Sequence, residues 1–338
     1  KHIITANKAL LAKHGQEIFR AAEARQVDIG FEASVGGGIP IIRAIKEGLA
    51  ANRIRSVYGI INGTANYILT EMEREGSSFE SVLHEAQAKG FAEADPTYDI
   101  KGIDTAHKLA ILVSLAFGTR ISLDQVYTEG IDRITPLDLQ FARELGYKIK
   151  LLALAKDTND EIEVRVHPTM ISQDYLLATV SGVYNAIYII GNRVGSTMLY
   201  GMGAGEQPTA GAVVSDVIDI AQNIRKNITW RVTPTSFCEG YIKNKPIKDI
   251  KNIISPYYLR FSALDKPGVL SQISGILGDH NISLASVIQK ERHLGRAVPI
   301  VMMTHEALEQ DITNALSRIE DLPFVTEKPN LIRVAELD

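Results

Sequence analysis

Cysteine is nearly absent. The single Cys238 in 338 residues excludes a disulfide framework, a cysteine zinc cluster and an iron–sulfur site. An excess of positive charge is also missing: Lys and Arg total 36 against 40 Asp and Glu, a formal net charge of −4, which rules out the basic footprint of a nucleic-acid binder. No apolar run is both long enough and free enough of charge to span a bilayer. No secretory signal opens the sequence, so a reducing cytoplasm is the expectation. The 8 histidines show no H-x-x-x-H or other paired metal spacing. There is no nucleophile elbow and no G-x-G-x-x-G that follows a strand and opens a helix. Nor is there an initial Met. The chain enters a strand-like run at once (Lys1-His2-Ile3-Ile4), and the favoured reading is a fragment whose upstream part is missing. What remains is ordinary globular composition, 45% hydrophobic and 22% charged, with a length that suggests two or three domains at roughly 150 residues each.

The apolar spacing predicts a helix over 9–24, a short strand at Asp28–Glu32, a glycine turn at Ser34–Gly38 and a helix opened by Pro40. That is βαβ logic, so the opening belongs to a parallel α/β sheet. A strand follows at Arg53–Asn62, then helices near 64–74, 79–89, 103–117 and 136–145. Strand-like runs at Lys148–Ala155, Glu161–Val166, Val183–Ile190 and Arg193–Leu199 imply an antiparallel sheet covered by those helices, an α+β arrangement. Gly201–Gly205 reads as a turn, Pro208 as the start of a helix reaching Asn223, and 226–255 as a linker rich in Lys, Pro and Asn. From Tyr257 onward the order is βαββαβ.

The most informative stretch is Gly90–Lys108. It ends in a nearly all-apolar run, Leu109–Phe117, which reads as a buried helix. Asp104 and Lys108 stand four apart on one face of it. An exposed i,i+4 pair would be worth only about 0.2–0.5 kcal/mol. Here the surroundings are apolar, and Glu93, Asp95 and Asp99 lie just upstream. Buried ionisable groups are costly and cluster at functional sites. A lysine beside carboxylates can polarise or protonate a carbonyl oxygen, and the carboxylates can hold an ammonium group. Lys8 follows a strand end, where ligands of open α/β sheets lie; a merely solvated lysine is poorly suited to a helix N-terminus. Glu32 with the glycine turn after it suits either a plain tight turn or a hard cation held by carbonyls. Gly201–Gly205 before a helix could receive an anion or a cofactor. Asn62-Gly63-Thr64 reads as an N-cap.

Taken in order, these segments resemble homoserine dehydrogenase over nearly the whole chain. The resemblance rests on Thr5-Ala6-Asn7-Lys8-Ala9, Phe31–Pro40, Ile60–Leu69, Gly90–Lys108 and Tyr200–Gly205. Asp265-Lys266-Pro267-Gly268-Val269-Leu270 with Asn281-Ile282-Ser283-Leu284 resembles an ACT domain, a small regulatory fold. The resemblance implies the end of a Rossmann-type domain at 1–35 with helix 208–223 packed back on it. A catalytic and dimerisation domain would follow at 36–207, with a mixed, largely antiparallel sheet. A linker at 224–256 and an ACT domain at 257–338 would complete the chain.

It further implies NAD- or NADP-dependent interconversion of L-aspartate 4-semialdehyde and L-homoserine, in threonine and methionine biosynthesis. By resemblance, Lys108 donates the proton and Lys8 lies near nicotinamide and substrate. Glu93, Asp99 and Asp104 hold the substrate, and Gly90, Gly203 and Gly205 touch the cofactor. Glu32, Val35, Gly37 and Ile39 match the family's sodium site. L-Threonine is the implied effector, at Asp265, Gly268, Val269, Leu270, Asn281 and Ile282, in a homodimer or homotetramer with no nucleic-acid or membrane partner. A catalytically silent amino-acid-binding fragment is the alternative, because the nucleotide-binding fingerprint is absent.

Overall fold

The computed structural model describes residues 1–237, 239–290 and 296–337; Cys238 lies outside them. The chain opens with β1 (Ile3–Ile4), α1 (Lys8–Arg25) and β2 (Ile29–Gly30). β1 and β2 pair in parallel, as βαβ logic requires. Asn7 starts α1 by accepting the Leu10 amide at 3.0 Å, an N-cap that satisfies one orphan donor. After the glycine turn, Pro40 leads into a single α-turn, α2 (Ile41–Arg43), which widens into a π turn over 44–48. β3 (Ile54–Ile60) follows, then α3 (Gly63–Glu75), α4 (Phe79–Ala88), α5 (Thr97–Ile100) and α6 (Ile103–Phe117). Gly102 precedes α6 with φ +78°. A side chain there would be strained and would meet Val166 and Thr128 at 3.1–3.2 Å.

Next come β4 (Tyr127–Thr128), α7 (Pro136–Glu144), β5 (Tyr147–Asp157), β6 (Ile162–Ser172), β7 (Tyr184–Gly191) and β8 (Gly195–Met202). β6 runs well past the expected Val166, and β8 takes in Gly201 and Met202, so the true turn is Gly203–Gly205. α8 (Glu206–Arg225) begins two residues before Pro208 and lies on β2. Asp216 of α8 accepts the Glu32 amide at 2.9 Å, and only a glycine at position 30 leaves room for it.

The expected linker is a pinned strap. The Trp230 indole donates to Val27 O at 3.1 Å, the Lys243 amide to Gly118 O at 2.9 Å, and Pro246 O accepts from the Ile162 amide at 2.9 Å. Beyond it run β9 (Ile254–Ser255), β10 (Tyr257–Leu264), α9 (Val269–Asp279), β11 (Leu284–Ile288), β12 (Ala297–Thr304), β13 (Ala307–Leu308), α10 (Glu309–Glu320) and β14 (Asn330–Ala335). β11 starts three residues after Asn281, which instead turns the chain with φ +58°.

Among the described residues, ten strands join in one sheet, ordered β11-β12-β10-β14-β6-β5-β3-β7-β8, with β4 also beside β6. β3, β5, β6, β7 and β8 pair antiparallel, which gives the expected α/β and α+β class. The last module is not separate from this sheet. Arg333, Val334 and Ala335 of β14 pair in parallel with Thr169, Met170 and Ile171 of β6. One core holds α6, α3 and α7 on one face of the sheet and takes in Tyr258, Val301 and Ile332 of the last module. α9 and α10 cover the other face there. Leu109, Leu112 and Val113 of α6 are fully buried; each contributes about 1.5–3 kcal/mol of transfer free energy.

Two buried ionic clusters stitch the seam. Asp138 of α7, with no exposed surface, accepts Arg260 Nε at 2.6 Å, Tyr258 Oη at 3.0 Å and Asn330 Nδ2 at 2.9 Å. It also closes a capping box with Thr135. Arg333 binds both oxygens of Glu309 and reaches Glu129 Oε2 at 2.9 Å. No helix among the described residues is long and apolar enough to cross a membrane.

Candidate active site

α6 is buried on nearly every side, so a charge in its first turns has little access to water. Asp104 and Lys108 are 5% and 8% exposed, and Lys108 Nζ lies 2.6 Å from Asp104 Oδ2. The same ammonium donates to Ile61 O at the end of β3, 2.8 Å away. Lys8, first residue of α1, comes from the opposite side to within 2.9 Å of Asp104 Oδ1. This explains a lysine at the positive end of a helix dipole: the partner carboxylate outweighs the dipole. One lysine is nearly dry; the other keeps 43% of its side chain in water.

Burial alone would raise the Asp104 carboxyl, but Lys108 and Lys8 outweigh it and hold it well below the usual carboxylate range. Burial would lower Lys8, and Asp104, Asp99 and Glu93 reverse that to raise it. Asp99 behaves differently. Burial pushes its carboxyl up, with the Asp104 charge adding to the rise and a hydrogen bond from Asn62 opposing it.

The structure thus gathers Lys8, Asp99, Asp104 and Lys108. Glu93 stands exposed on the loop after α4, where the Gln87 side-chain amide holds the carbonyls of Glu93 and Ala94 at 3.1 and 3.3 Å. Its field reaches Lys8. Sequence reasoning missed Asn62. Its Oδ1 caps α3, accepting the Ala65 amide at 2.8 Å, as the motif suggests. Its Nδ2, however, donates to Asp99 Oδ1 at 2.7 Å and to Asp104 Oδ2 at 2.9 Å.

The two glycine turns meet. Gly38 N donates to Met202 O at 3.0 Å, and a Cβ on Gly37 would lie 2.5 Å from Gly203 O. Gly205 opens α8 with φ +121° and no side-chain cap, while Gly90 ends the α4 turn with φ +76°. Bare backbone at the N-terminus of a twenty-residue helix is chemically suited to a phosphate. The Glu32 carboxylate faces the amides of Ile42 and Arg43, at 2.8 and 3.0 Å, rather than a ring of carbonyls. Burial raises it to about 7. Val35 and Ile39 are buried beside it. Among the described residues, no three of His, Cys, Asp and Glu gather as a metal site.

The six residues implied for an effector do not form one cluster within a chain. Asp265, Gly268, Val269 and Leu270 sit at the start of α9; Asn281 and Ile282 lie just past its end, roughly 16 Å away at 1.5 Å per residue.

A family model described as homoserine dehydrogenase matches residues 40–218, more than half of the chain. The chain belongs to the homoserine dehydrogenase family. It is therefore an NAD(P)-dependent oxidoreductase. An ACT domain model matches 257–324. The homoserine dehydrogenase of Pseudomonas aeruginosa is 48% identical over 339 residues, covering all of this chain and 78% of that protein. The solved homoserine dehydrogenase of Thiobacillus denitrificans superposes with a TM-score of 0.94 at 47% identity, over 100% of this chain and 77% of that one. A hyperthermophilic archaeal homoserine dehydrogenase in complex with NADPH matches 65% of this chain and 64% of its own, at a TM-score of 0.57 and 29% identity.

Proposed function

We propose that the chain interconverts L-aspartate 4-semialdehyde and L-homoserine at the Lys8–Asp104–Lys108 array. The observation that carries this reading is a buried lysine held by one carboxylate, Asp104, beside a second, Asp99, that has no cation of its own at hydrogen-bond range. Two of the Lys108 N–H donors go to Asp104 and Ile61 O, which leaves a third for the substrate oxygen. In the reducing direction Lys108 gives that oxygen a proton as negative charge builds on it; in the oxidising direction its neutral amine takes the proton back. Asp104 keeps Lys108 aimed. Asp99, with Glu93 at the mouth, receives the ammonium of the amino acid. Lys8 sets the cationic edge of the site. Gly90, Gly203 and Gly205 would offer a bound nicotinamide nucleotide close backbone approach, and that group would supply or accept the hydride. The archaeal relative's NADPH supports NADP(H) over NAD(H).

We assign L-threonine as the effector of the ACT module, at the start of α9. Asp265 Oδ2 is buried there and finds no donor among the described residues, an opening for an ammonium group. The Asn281–Ile282 turn can complete the site only from a second copy, which favours an oligomer.

The test is L-homoserine-dependent reduction of NADP+ and of NAD+, each with and without L-threonine, using a cytoplasmic preparation of the full-length protein. Faster reduction of NADP+, suppressed by threonine, is expected. Absence of homoserine-dependent reduction with either nucleotide would overturn the substrate assignment, and indifference to threonine the effector.

Sodium at Glu32 is a structural proposal only. The donors present are one carboxylate, already bonded to two amides, and the carbonyls of the turn, so no catalytic step runs through a cation. A carboxyl raised to about 7 favours the folded chain when protonated, below its unfolded value of about 4.3, and that contribution is lost as pH rises through 7. A cation would replace the proton. Exchanging choline chloride for sodium chloride should therefore raise the melting temperature more at pH 8 than at pH 6. An equal response at both pH values would leave Glu32 as a helix cap.

A further inference from the structure

We propose that Asn62 is a positioning residue for substrate binding, a two-way clamp whose single side-chain amide holds Asp99 and Asp104 apart and aimed while its oxygen anchors the start of α3. The proposal rests on the reading of Asp99 as a receiver of the substrate ammonium.

Three contacts fix the orientation of the amide. The Ala65 N–H can give its hydrogen only to Oδ1, so Nδ2 must face the two carboxylates, which accept and do not donate when ionised. Asn62 is 4% exposed, so water cannot readily take over either bond. Asp104 has other donors in Lys8 and Lys108. Asp99 has no such ion pair at hydrogen-bond range among the described contacts; its Oδ1 accepts from Asn62 at 2.7 Å, and the Thr64 side chain gives it weaker support.

The clamp solves a specific electrostatic problem. Two carboxylates that converge on one ammonium repel each other until it arrives, and like charges at close range push one of the pair toward its neutral form. A third lysine between them, beside Lys8 and Lys108, would make the site net cationic and compete with the substrate. A neutral group with two N–H donors supports both carboxylates without adding a further positive charge beside Lys8 and Lys108. The charged groups facing Asp99 are Asp104 and Lys108 of α6 and, from α1, Lys8. Of these only Asp104 favours its protonation. Removing the amide therefore leaves Asp99 nearer to neutrality, with Thr64 as its remaining hydrogen-bond support.

Asn62→Ser tests this with the helix cap retained, because a serine oxygen can also accept the Ala65 amide. The expected result is a rise in KM for L-homoserine of about 10- to 100-fold, the range for losing a hydrogen bond to a charged group, with kcat changed much less. The acid limb of kcat/KM should move to higher pH, and the melting temperature should hold. The second arm is a double-mutant cycle with Asp99→Asn. If Asn62 acts through the Asp99 charge, Asn62→Ser adds little in that background. Additive losses, or a fall in kcat and melting temperature with KM and pH profile unmoved, would overturn the proposal and leave Asn62 a helix cap. If Asp99→Asn alone leaves KM unchanged, the fault lies in the assignment of Asp99 and not in the clamp.

Discussion

Lys108→Ala should lower kcat by about a thousandfold while the protein stays folded. The size follows from two roles in one group. General acid catalysis by a placed side chain contributes roughly 10²–10⁴-fold, and a donor facing developing oxyanion charge about 10²–10³-fold. The fold survives because Asp104 is not orphaned: it keeps Lys8 at 2.9 Å and Asn62 Nδ2 at 2.9 Å. Lys108→Arg should not restore turnover, since a guanidinium does not yield its proton and its planar fork does not match the Asp104–Ile61 geometry. Single-turnover kinetics with a circular-dichroism melt check both halves. Near-normal turnover in the alanine variant would remove Lys108 from the chemistry. The acid side of the activity profile has a separate origin. Asp104 is held below the usual range, so its ion pairs persist above about pH 4 and are lost only as pH falls further. Asp99, raised by burial, takes a proton first.

Asp138→Ala carries the largest expected stability loss. Asp138 is fully buried and accepts from Arg260, Tyr258, Asn330 and Thr135 at once. Truncation leaves the Arg260 guanidinium in a dry seam with its principal counter-charge gone. Breaking a buried pair from one side costs about 3–5 kcal/mol, roughly 4–7 °C of melting temperature for a chain of this size. The capping box of α7 goes with it. Removing both partners, Asp138→Ala with Arg260→Met, should recover part of the loss, because no charge is then stranded. Chemical denaturation of the two variants measures the difference. A loss below about 1 kcal/mol, as for an exposed pair, would mean that water reaches the seam.

Much of this was legible in the chain. The all-round apolar run after Lys108 marks α6 as buried, and the four-residue spacing puts Asp104 and Lys108 on one face. The βαββαβ order from Tyr257 follows from local periodicity and turn chemistry. What stayed hidden was long-range. The oxygen of Asn62 acts three residues away and reads as a cap; its nitrogen acts on Asp99 and Asp104, 37 and 42 residues on, and no local pattern carries that. The strap hid for the same reason: Lys, Pro and Asn resemble a free linker, but their backbone bonds go to Gly118 and Ile162. Glu32 could be read either as a turn carboxylate or as a cation ligand until its amide partners were located.

The zipping of β14 onto β6 bears on how portable the ACT module is. A bead on a string can be clipped off, swapped or grafted by gene fusion. Cutting this chain before Tyr257 would instead tear a sheet, bare the backbone groups of β6 at Thr169–Ile171, and strip the cover from Asp138. Open edges of that kind recruit other strands, so the shortened protein should aggregate unless β6 finds a new neighbour. The module and the strand that receives it thus form one structural unit, and a graft that carries one without the other leaves an open edge on both.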